Sequence, residues 1–372
     1  MAVLISGTGL YVPPEVITNK ELVTSFNSYA DNYNLENKAL IDEGKLDALT
    51  YSEESFIKKV SGIERRHVLD KKGILDPIRM RPNLLPKSND EPSIQAEISV
   101  NAAKEAMYQS GKTSKNIDAV ICACANLQRA YPAVAIEVQD LLGIEGYAYD
   151  MNVACSSSTF ALQNAITDIR SGIADTILVV NPEICSGHLN FKDKDGHFIF
   201  GDVCTAIIVE KEDTCSSGIA FKVIDSKLKT IFSNNIRNNF GFLNSAENSD
   251  PNSADKLFIQ QGKKVFKEVV PMVSKLIAKH LEENNLSIQD VRRLWLHQAN
   301  LNMNLLIGKK LFGREPEQFE IPIVLDEYAN TSSAGSIIAF HENKEDLEVK
   351  DLGVLCSFGA GYSAGSLILQ KL

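Results

Sequence analysis

The chain has 372 residues, of which 44% are hydrophobic and 23% are charged, and its formal net charge is −10. This length and composition are ordinary for a globular protein with two domains' worth of core, and they exclude a disordered tail or a fibre. The acidic balance argues against a general nucleic-acid-binding surface.

The start of the chain and its cysteines predict the compartment. The opening MAVLISGTGLYVPP lacks a basic region and meets glycine and proline too early for a secretory signal. No apolar run approaches the roughly 18 residues of a membrane span. Seven cysteines are scattered without paired metal-ligand spacing, which favours reduced thiols and no metal site. We therefore expect a cytoplasmic protein without membrane contact.

Apolar runs of strand length alternate with helical patterns along the chain. The predicted strands are 119–123, 176–180, 206–209, 294–296 and 353–356. The predicted helices are 95–110, 133–142, 156–171, 255–284 and 302–312, and glycines 111, 143, 172 and 313 follow four of them as C-terminal stops. This alternation predicts an α/β protein. The helix 156–171 is apolar on more than one face, so it should be buried.

An internal repeat organises these elements. The pattern of helix, strand, Ala-Asn-Leu, helix and glycine occurs once around Ala125 and again around Ala299. The segment YDMNVACSSS then aligns with LDEYANTSSA, so that Cys155 corresponds to Asn330. We infer two related halves, 1–215 and 216–372, with Cys155 and Asn330 both at helix N-termini and facing one cleft.

Cys155, His297 and Asn330 form a candidate catalytic set. A helix N-terminus lowers the pKa of a thiol, although a cysteine before a buried helix is more often an inert core residue. His297 ends a strand, where a histidine is usually only a satisfied polar group. Together the three supply a nucleophile and two donors for a developing oxyanion, which thiol-based acyl transfer needs. The glycine-rich segment 357–365 forms either a turn aimed at this cleft or a simple hairpin.

Six motifs in order carry a resemblance to a known family over nearly the full length. They are GIERRH (62–67), VACSS (153–157), FGD (200–202), HQAN (297–300), NTSSA (330–334) and SFGAGYSAGS (357–366). The chain resembles the β-ketoacyl-acyl-carrier-protein synthase III family of thiolase-fold condensing enzymes. The resemblance implies a duplicated five-layer αβαβα fold with two pseudo-twofold-related halves.

The resemblance also implies a two-stage condensation. Cys155 takes an acyl group from a thioester, and malonyl-acyl carrier protein then loses carbon dioxide while His297 and Asn330 stabilise its enolate. The N–H groups of Cys155 and Ala360 would hold the acyl oxyanion. Phe358 would crowd the malonyl carboxylate and favour its loss.

Further residues are matched to partners by the resemblance alone. Phe56 would contact the donor, expected to be an acyl-CoA, and Lys267, Lys309 and Lys310 would contact acyl carrier protein. A charged run is otherwise usually a solvated face. Tyr131 would enter the acyl pocket of the second subunit of a homodimer, with the strand at 176–181 pairing across the axis; the alternative is an ordinary packed aromatic. No cofactor is implied.

Several departures from the family pattern bear on the substrate. Val60 and Asn302 stand where arginines are usual, and Ala360 stands where glycine is usual. Extra sequence near 27–50, 70–92 and 232–254 exceeds the compact form, so acetyl specificity is not assumed.

Three other functions stay open at this point. The first is another acyltransferase of the same fold, acting by head-to-head condensation of acyl-CoAs or by acyl transfer to a specialised-metabolite acceptor. The second is a thiol hydrolase. The third is a non-catalytic module that binds carrier protein.

Overall fold

The computed structural model describes residues 1–250 and 253–372. Its strands are β1 (Val3–Tyr11), β2 (Glu15–Thr18), β3 (Arg65–Val68), β4 (Ala119–Ala123), β5 (Tyr147–Met151), β6 (Thr176–Ile184), β7 (Asp202–Lys211), β8 (Phe221–Ser233), β9 (Ile236–Arg237), β10 (Ile259–Gln260), β11 (Val291–Leu296), β12 (Leu352–Gly359) and β13 (Gly361–Lys371). Its helices are α1 (Asn19–Glu36), α2 (Lys38–Asp42), α3 (Glu54–Ser61), α4 (Lys71–Leu75), α5 (Ile94–Ser110), α6 (Val134–Leu142), α7 (Ser157–Ser171), α8 (Gly262–Glu283), α9 (Leu301–Phe312), α10 (Leu325–Tyr328) and α11 (Gly335–Glu342).

The predicted strands and helices are all present, but four of the strands extend beyond their predicted bounds and the start of one helix is wrong. The helix predicted at 255–284 begins at Gly262 instead. The residues before it form a 3₁₀ turn and β10, which pairs with β9. The N–H of Phe258 donates to the carbonyl of His188 at 2.9 Å, so this stretch is bonded to another part of the chain. That tertiary contact outweighs the local helical pattern.

The main sheet has nine strands and repeats one pattern twice. Its order is β11-β12-β13-β8-β1-β7-β6-β4-β5. In the first half β4 pairs parallel with β6, and β6, β7 and β1 continue antiparallel. In the second half β11 pairs parallel with β12, and β12, β13 and β8 continue antiparallel. An antiparallel pairing of β1 with β8 joins the two sets.

The strands of the two halves lie on either side of a central pair of helices, and further helices cover their outer faces, which gives five layers. Helices α5 and α6 pack on one outer face and α8 and α9 on the other. Helices α7 and α11 form the middle layer, where their apolar residues pack against strands of both halves. The buried helix predicted at 156–171 is therefore confirmed as α7, with residues such as Leu162 and Ile166 inside this layer. The predicted boundary at 215/216 lies between β7 and β8, and the two-domain division itself stays a proposal.

The strand predicted to pair across a dimer axis is wrong on topological grounds. The residues 176–181 belong to β6, which already has β4 on one side and β7 on the other. A strand with both edges occupied has no free backbone groups to offer a second subunit. At this end of the sheet the edge strand is β5.

The extra segments contain helices and a strand outside the main sheet. The stretch 27–50 contains the end of α1 and the whole of α2, and 70–92 contains α4. The stretch 232–254 contains β9, and its residues 251 and 252 lie outside the described residues. Among the described helices, none combines the length and apolarity of a membrane span.

Candidate active site

A cavity of about 1140 Å³ brings the predicted catalytic residues together. Cys155 comes from the first half of the chain, and His297 and Asn330 come from the second. Phe358 and Gly359 line the same cavity from the end of β12.

Cys155 lies in a 3₁₀ turn that leads into α7. Ala154 has a φ of 47°, and its N–H is bonded to the Asn152 side chain at 2.8 Å. The hydroxyl of Ser157 accepts the N–H of Val153 at 2.8 Å. These bonds hold the thiol at the cavity wall, where the hydroxyl of Ser332 donates to Sγ at 3.5 Å.

The expected lowering of the thiol pKa is wrong for this site without substrate. Burial raises the pKa of Cys155 to about 11, and bonds from the Ser332 hydroxyl and the Ala360 backbone only partly offset that rise. The nearby carboxyl of Glu183 adds to it. Desolvation and the nearby carboxyl group both disfavour the charged thiolate form.

His297 follows β11 and is buried to 2% exposure. Its backbone N–H donates to the carbonyl of Cys356 at 2.8 Å, and its backbone carbonyl accepts a hydrogen bond from Asn304 Nδ2 at 3.0 Å. The imidazole meets the ring of Phe358 edge to face at 5.3 Å between centroids. Burial lowers the pKa of His297 to about 4, so the ring is neutral at pH 7.

Asn330 is fixed through its backbone and its side-chain oxygen. Its N–H donates to Ile199 at 2.9 Å, and its carbonyl accepts the N–H of Gly201 at 3.2 Å. Its Oδ1 accepts the N–H of Ser332 at 2.9 Å. Because the oxygen is engaged inside the turn, Nδ2 is the part of the amide left to donate to a ligand.

The repeat register that placed Cys155 over Asn330 is wrong by three residues. A 3₁₀ turn with a positive φ at its first residue occurs at Ala154 and again at Ser332. Each turn is held by an asparagine two residues earlier, Asn152 in one and Asn330 in the other. Asn330 therefore corresponds to Asn152, and it lies before the second helix rather than at its N-terminus.

The turn between β12 and β13 closes the site over the thiol. Ala360 is half-buried there, and its backbone bonds the Cys155 thiol. A Cβ on Gly359 would lie 2.5 Å from the Cys155 Cβ. The segment 357–365 thus forms a hairpin whose turn also contacts the cleft.

The cavity lining has an uneven charge. Phe56 and Val60 line it, and Phe56 meets Phe198 edge to face at 6.4 Å. Asp193 and Asp195 contribute carboxylates to the lining, and Lys263 contributes an ammonium group.

The remaining predicted residues lie on the surface. Tyr131 is 85% exposed and does not line the cavity. Lys267 on α8 and Lys309 and Lys310 on α9 are exposed, and Lys309 pairs with Glu315. Asn302 is exposed, with its amide 3.4 Å from the carbonyl of Lys59.

Two residues of the site were not singled out from the sequence. Ser332 contacts the thiol, and it lies inside the NTSSA motif, which could have pointed to it. Glu183 is buried beside Ser333, and nothing in its local sequence marks it. No cluster of three or more potential metal ligands occurs in the described parts of the chain.

Family models match two parts of the chain. Residues 149–230 match 3-oxoacyl-[acyl-carrier-protein] synthase III, and residues 281–371 match its C-terminal part. A β-ketodecanoyl-[acyl-carrier-protein] synthase from Pseudomonas aeruginosa is 58% identical over 347 residues, covering 93% of this chain and 99% of that protein. The chain belongs to the 3-oxoacyl-[acyl-carrier-protein] synthase III family. It is an acyltransferase of the condensing type.

More distant members of the synthase III family agree with this. A synthase III from Clostridium perfringens is 29% identical over 339 residues, covering 90% of this chain and 95% of its own. The crystal structure of 3-oxoacyl-[acyl-carrier-protein] synthase III from Aquifex aeolicus matches 99% of both chains with a TM-score of 0.77 at 22% identity. This structural match bears out the predicted thiolase-like fold.

Proposed function

We propose that this synthase condenses a medium-chain acyl-CoA with malonyl-acyl carrier protein to give a 3-ketoacyl-acyl carrier protein. The observation that carries the proposal is the meeting of Cys155, His297 and Asn330 on one cavity. The relative from P. aeruginosa is named for a ten-carbon ketoacyl product. Because malonyl contributes two carbons to such a product, the matching donor has eight.

In the first stage the Cys155 sulfur attacks the carbonyl carbon of the donor thioester. The donor's carbon–sulfur bond breaks and its thiol leaves, which gives an acyl-enzyme. The oxyanion of the intermediate lies between the N–H groups of Cys155 and Ala360. Support comes from the contact of the Ala360 backbone with the thiol.

In the second stage malonyl-acyl carrier protein enters and loses carbon dioxide. Asn330 Nδ2 donates to its thioester oxygen, and neutral His297 donates from Nε2, so the enolate is stabilised by two hydrogen bonds. Phe358, packed against His297, leaves the malonyl carboxylate poorly solvated and favours its departure. The resulting carbanion attacks the acyl-enzyme and frees Cys155. The sequence of steps calls for no metal or prosthetic group.

Two exposed surfaces are assigned to partners in this proposal. Lys267, Lys309 and Lys310 lie on the adjacent helices α8 and α9, and they contact the acidic carrier protein. Tyr131 contacts the acyl chain across the interface of a homodimer, which accounts for a tyrosine that is 85% exposed in one chain.

The charge of the cavity lining favours a second candidate donor. Val60 offers no cation, and the charged residues of the lining are Asp193, Asp195 and Lys263, so the lining is net negative and disfavours the phosphates of coenzyme A. An acyl group carried on acyl carrier protein brings only one phosphodiester to the cavity. The same enzyme would then use carrier protein in both stages.

Intact-mass spectrometry of the loaded enzyme tests the proposal. The purified protein and Cys155→Ser are incubated with acyl-CoAs of two to about twelve carbons and with the matching acyl carrier proteins. We expect one acyl group on the wild type only, greatest near eight carbons, and its release as a 3-ketoacyl product after malonyl-acyl carrier protein is added. Absence of loading from both donor panels would contradict the acyl-enzyme, and release as free acid would indicate a thiol hydrolase.

A further inference from the structure

We propose that Asn304 is a positioning residue whose buried amide holds the backbone of His297 and thereby aims the imidazole at the malonyl thioester. The inference deepens the function proposed above and rests on its decarboxylation stage. Asn304 does not line the cavity, so it acts on the reaction only through His297.

Asn304 is an unusual residue for its place in the chain. It is the fourth residue of α9, and it is 0% exposed. Asparagine is unfavourable inside a helix because its amide competes with the backbone for hydrogen bonds, and burial removes its bonds to water. Two other asparagines lie close by. Asn300 caps the helix and Asn302 is exposed, but neither of these roles explains a buried asparagine at position 304.

The hydrogen bond that Asn304 makes is to the backbone of His297. Asn304 Nδ2 donates to the His297 carbonyl at 3.0 Å. His297 lies one residue beyond the end of β11, and its N–H donates to the carbonyl of Cys356 on β12 at 2.8 Å. The N–H of the histidine is therefore fixed by the neighbouring strand and its carbonyl by α9.

The imidazole of His297 has few other groups to orient it. Its Nδ1 is buried and has no hydrogen-bond partner in the described parts of the chain. A functional histidine is often oriented by a hydrogen bond at its second ring nitrogen. Here the ring meets Phe358 edge to face at 5.3 Å, and it interacts with the backbone of Ser332. The direction of Nε2 consequently depends on how firmly the backbone of residue 297 is held.

The second polar atom of Asn304 indicates a role beyond stability. Asn304 Oδ1 is buried and has no hydrogen-bond partner among the residues that the structure describes. An unpaired buried acceptor costs at least as much free energy as one hydrogen bond contributes, so the amide gives the fold little net stability. An apolar side chain of the same shape would avoid that cost. The bond to His297 is what such a side chain could not supply.

Asn304→Leu tests the proposal, because leucine has nearly the shape of asparagine and offers no donor. We expect kcat for decarboxylation of malonyl-acyl carrier protein to fall by about 10- to 10²-fold, since a displaced donor loses most of its effect on the enolate. The KM for this substrate and the rate of Cys155 loading should stay close to those of the wild type, because Asn304 contacts no substrate. Release of labelled carbon dioxide and intact mass measure the two stages.

Ile307→Ala is the matched control. Ile307 is buried on the same helix and belongs to the core cluster that covers this face of the sheet. Its truncation should lower the midpoint of urea denaturation and leave the ratio of the two stages unchanged. In Asn304→Leu the midpoint should change little, because one hydrogen bond and one unpaired acceptor are lost together. Asn304→Ala removes the same donor and decides alone if Asn304→Leu does not fold.

A measurement without substrate keeps this inference separate from the proposed function. The chain has six histidines, and in protein labelled with nitrogen-15 histidine the ring signals of His297 are those absent from His297→Gln. We expect these signals to shift or broaden in Asn304→Leu, because the ring loses its fixed orientation. They should keep their wild-type positions in Ile307→Ala.

Two results would overturn the positioning role. One is an unchanged kcat for decarboxylation in Asn304→Leu. The other is an equal loss in decarboxylation and in Cys155 loading, which would mean general damage to the fold. If the wild type neither loads nor decarboxylates, the proposed function is refuted and the His297 signals decide. Signals that shift in Asn304→Leu would then support the role, and unchanged signals would refute it.

Discussion

Gly359 has no side chain, and this allows the hairpin turn to approach the nucleophile Cys155 closely. A Cβ there would lie 2.5 Å from the Cβ and 3.0 Å from the sulfur of Cys155. Real Cβ atoms do not approach other atoms so closely, so either Gly359 or Cys155 would have to move. A glycine is needed here for space rather than for an unusual φ.

Gly359→Ala should therefore displace the turn that carries the Ala360 N–H. We expect acyl-enzyme formation to fall by about 10²-fold, the usual effect of losing an oxyanion donor, as measured by intact mass over time. Gly218→Ala is the matched control, because no atom lies within 4 Å of its added methyl group. Equal rates in the two variants would refute this steric role.

Asn330→Ala separates the two stages of the reaction. The variant loses the Nδ2 donor and the Oδ1 bond to Ser332, so decarboxylation of malonyl-acyl carrier protein should slow by about 10²-fold or more. Release of labelled carbon dioxide measures this stage, and loading of Cys155 measures the other. A larger loss in loading than in decarboxylation would contradict the assignment.

At the scale of elements, the HQAN motif joins two helices as well as supplying His297. Asn300 caps α9 by accepting the N–H of Met303 at 3.2 Å. Its Nδ2 donates to the carbonyl of Val60, the penultimate residue of α3, at 2.6 Å. One side chain thus fixes the start of α9 and the position of a cavity-lining helix.

Asn300→Ala should lower the free energy of unfolding by about 1–3 kcal/mol, since it removes a cap and leaves a carbonyl unpaired. Urea denaturation measures the change. Asn302→Ala, on the same helix but exposed and only 3.4 Å from its acceptor, should stay within about 0.5 kcal/mol of wild type. Equal losses of stability in the two variants would contradict this capping role.

At the scale of the whole molecule, buried histidines link stability to pH. Burial lowers the pKa values of His197 and His297 to about 4 each. Between pH 6.5 and 4 the unfolded chain binds protons at these sites that the native state does not, so stability falls as pH falls. Glu183 and Asp202 act in the opposite sense, because their raised pKa values make the native state bind protons first.

His197→Phe isolates one such site, a fully buried ring beside Phe26 at 4.7 Å. Its removal should reduce the slope of unfolding free energy against pH by up to about 1.4 kcal/mol per unit between pH 6.5 and 4. Urea denaturation at pH 4.5, 5.5 and 6.5 gives the slopes. Parallel slopes for wild type and variant would show that His197 titrates normally.

The free edge of β5 is the surface that we assign to the proposed homodimer. The N–H of Tyr147 faces β4, bonded to Asp118 at 3.3 Å. Alternation along the strand therefore turns the N–H of Ala148 away from β4, toward the open edge.

Ala148→Pro should remove that donor without disturbing β4, because proline is tolerated on edge strands. We expect a dimer for the wild type and a monomer at micromolar concentration for the variant, by sedimentation velocity. A thermal melt checks that the variant is folded. A dimer that survives the substitution would place the interface elsewhere.

The sequence by itself determined the α/β class and the duplicated fold, and it singled out Cys155, His297 and Asn330, which line one cavity in the structure. The hydrophobic periodicities of strands and helices are local patterns, and the family motifs are short runs of neighbouring residues. Both can therefore be recognised from the sequence alone. Local sequence patterns gave the wrong start for α8 and the wrong register for the repeat, because both depend on contacts with distant parts of the chain.

Only the tertiary structure decided what surrounds the thiol. Ser332 reaches Cys155 across 177 residues, and Glu183 reaches Ser333 across 150. These contacts exist because the turns that precede α7 and α11 meet in the middle layer, where the apolar residues of both helices belong to one core cluster. The raised thiol pKa and the free edge of β5 follow from that packing and from the strand order, which no local pattern specifies.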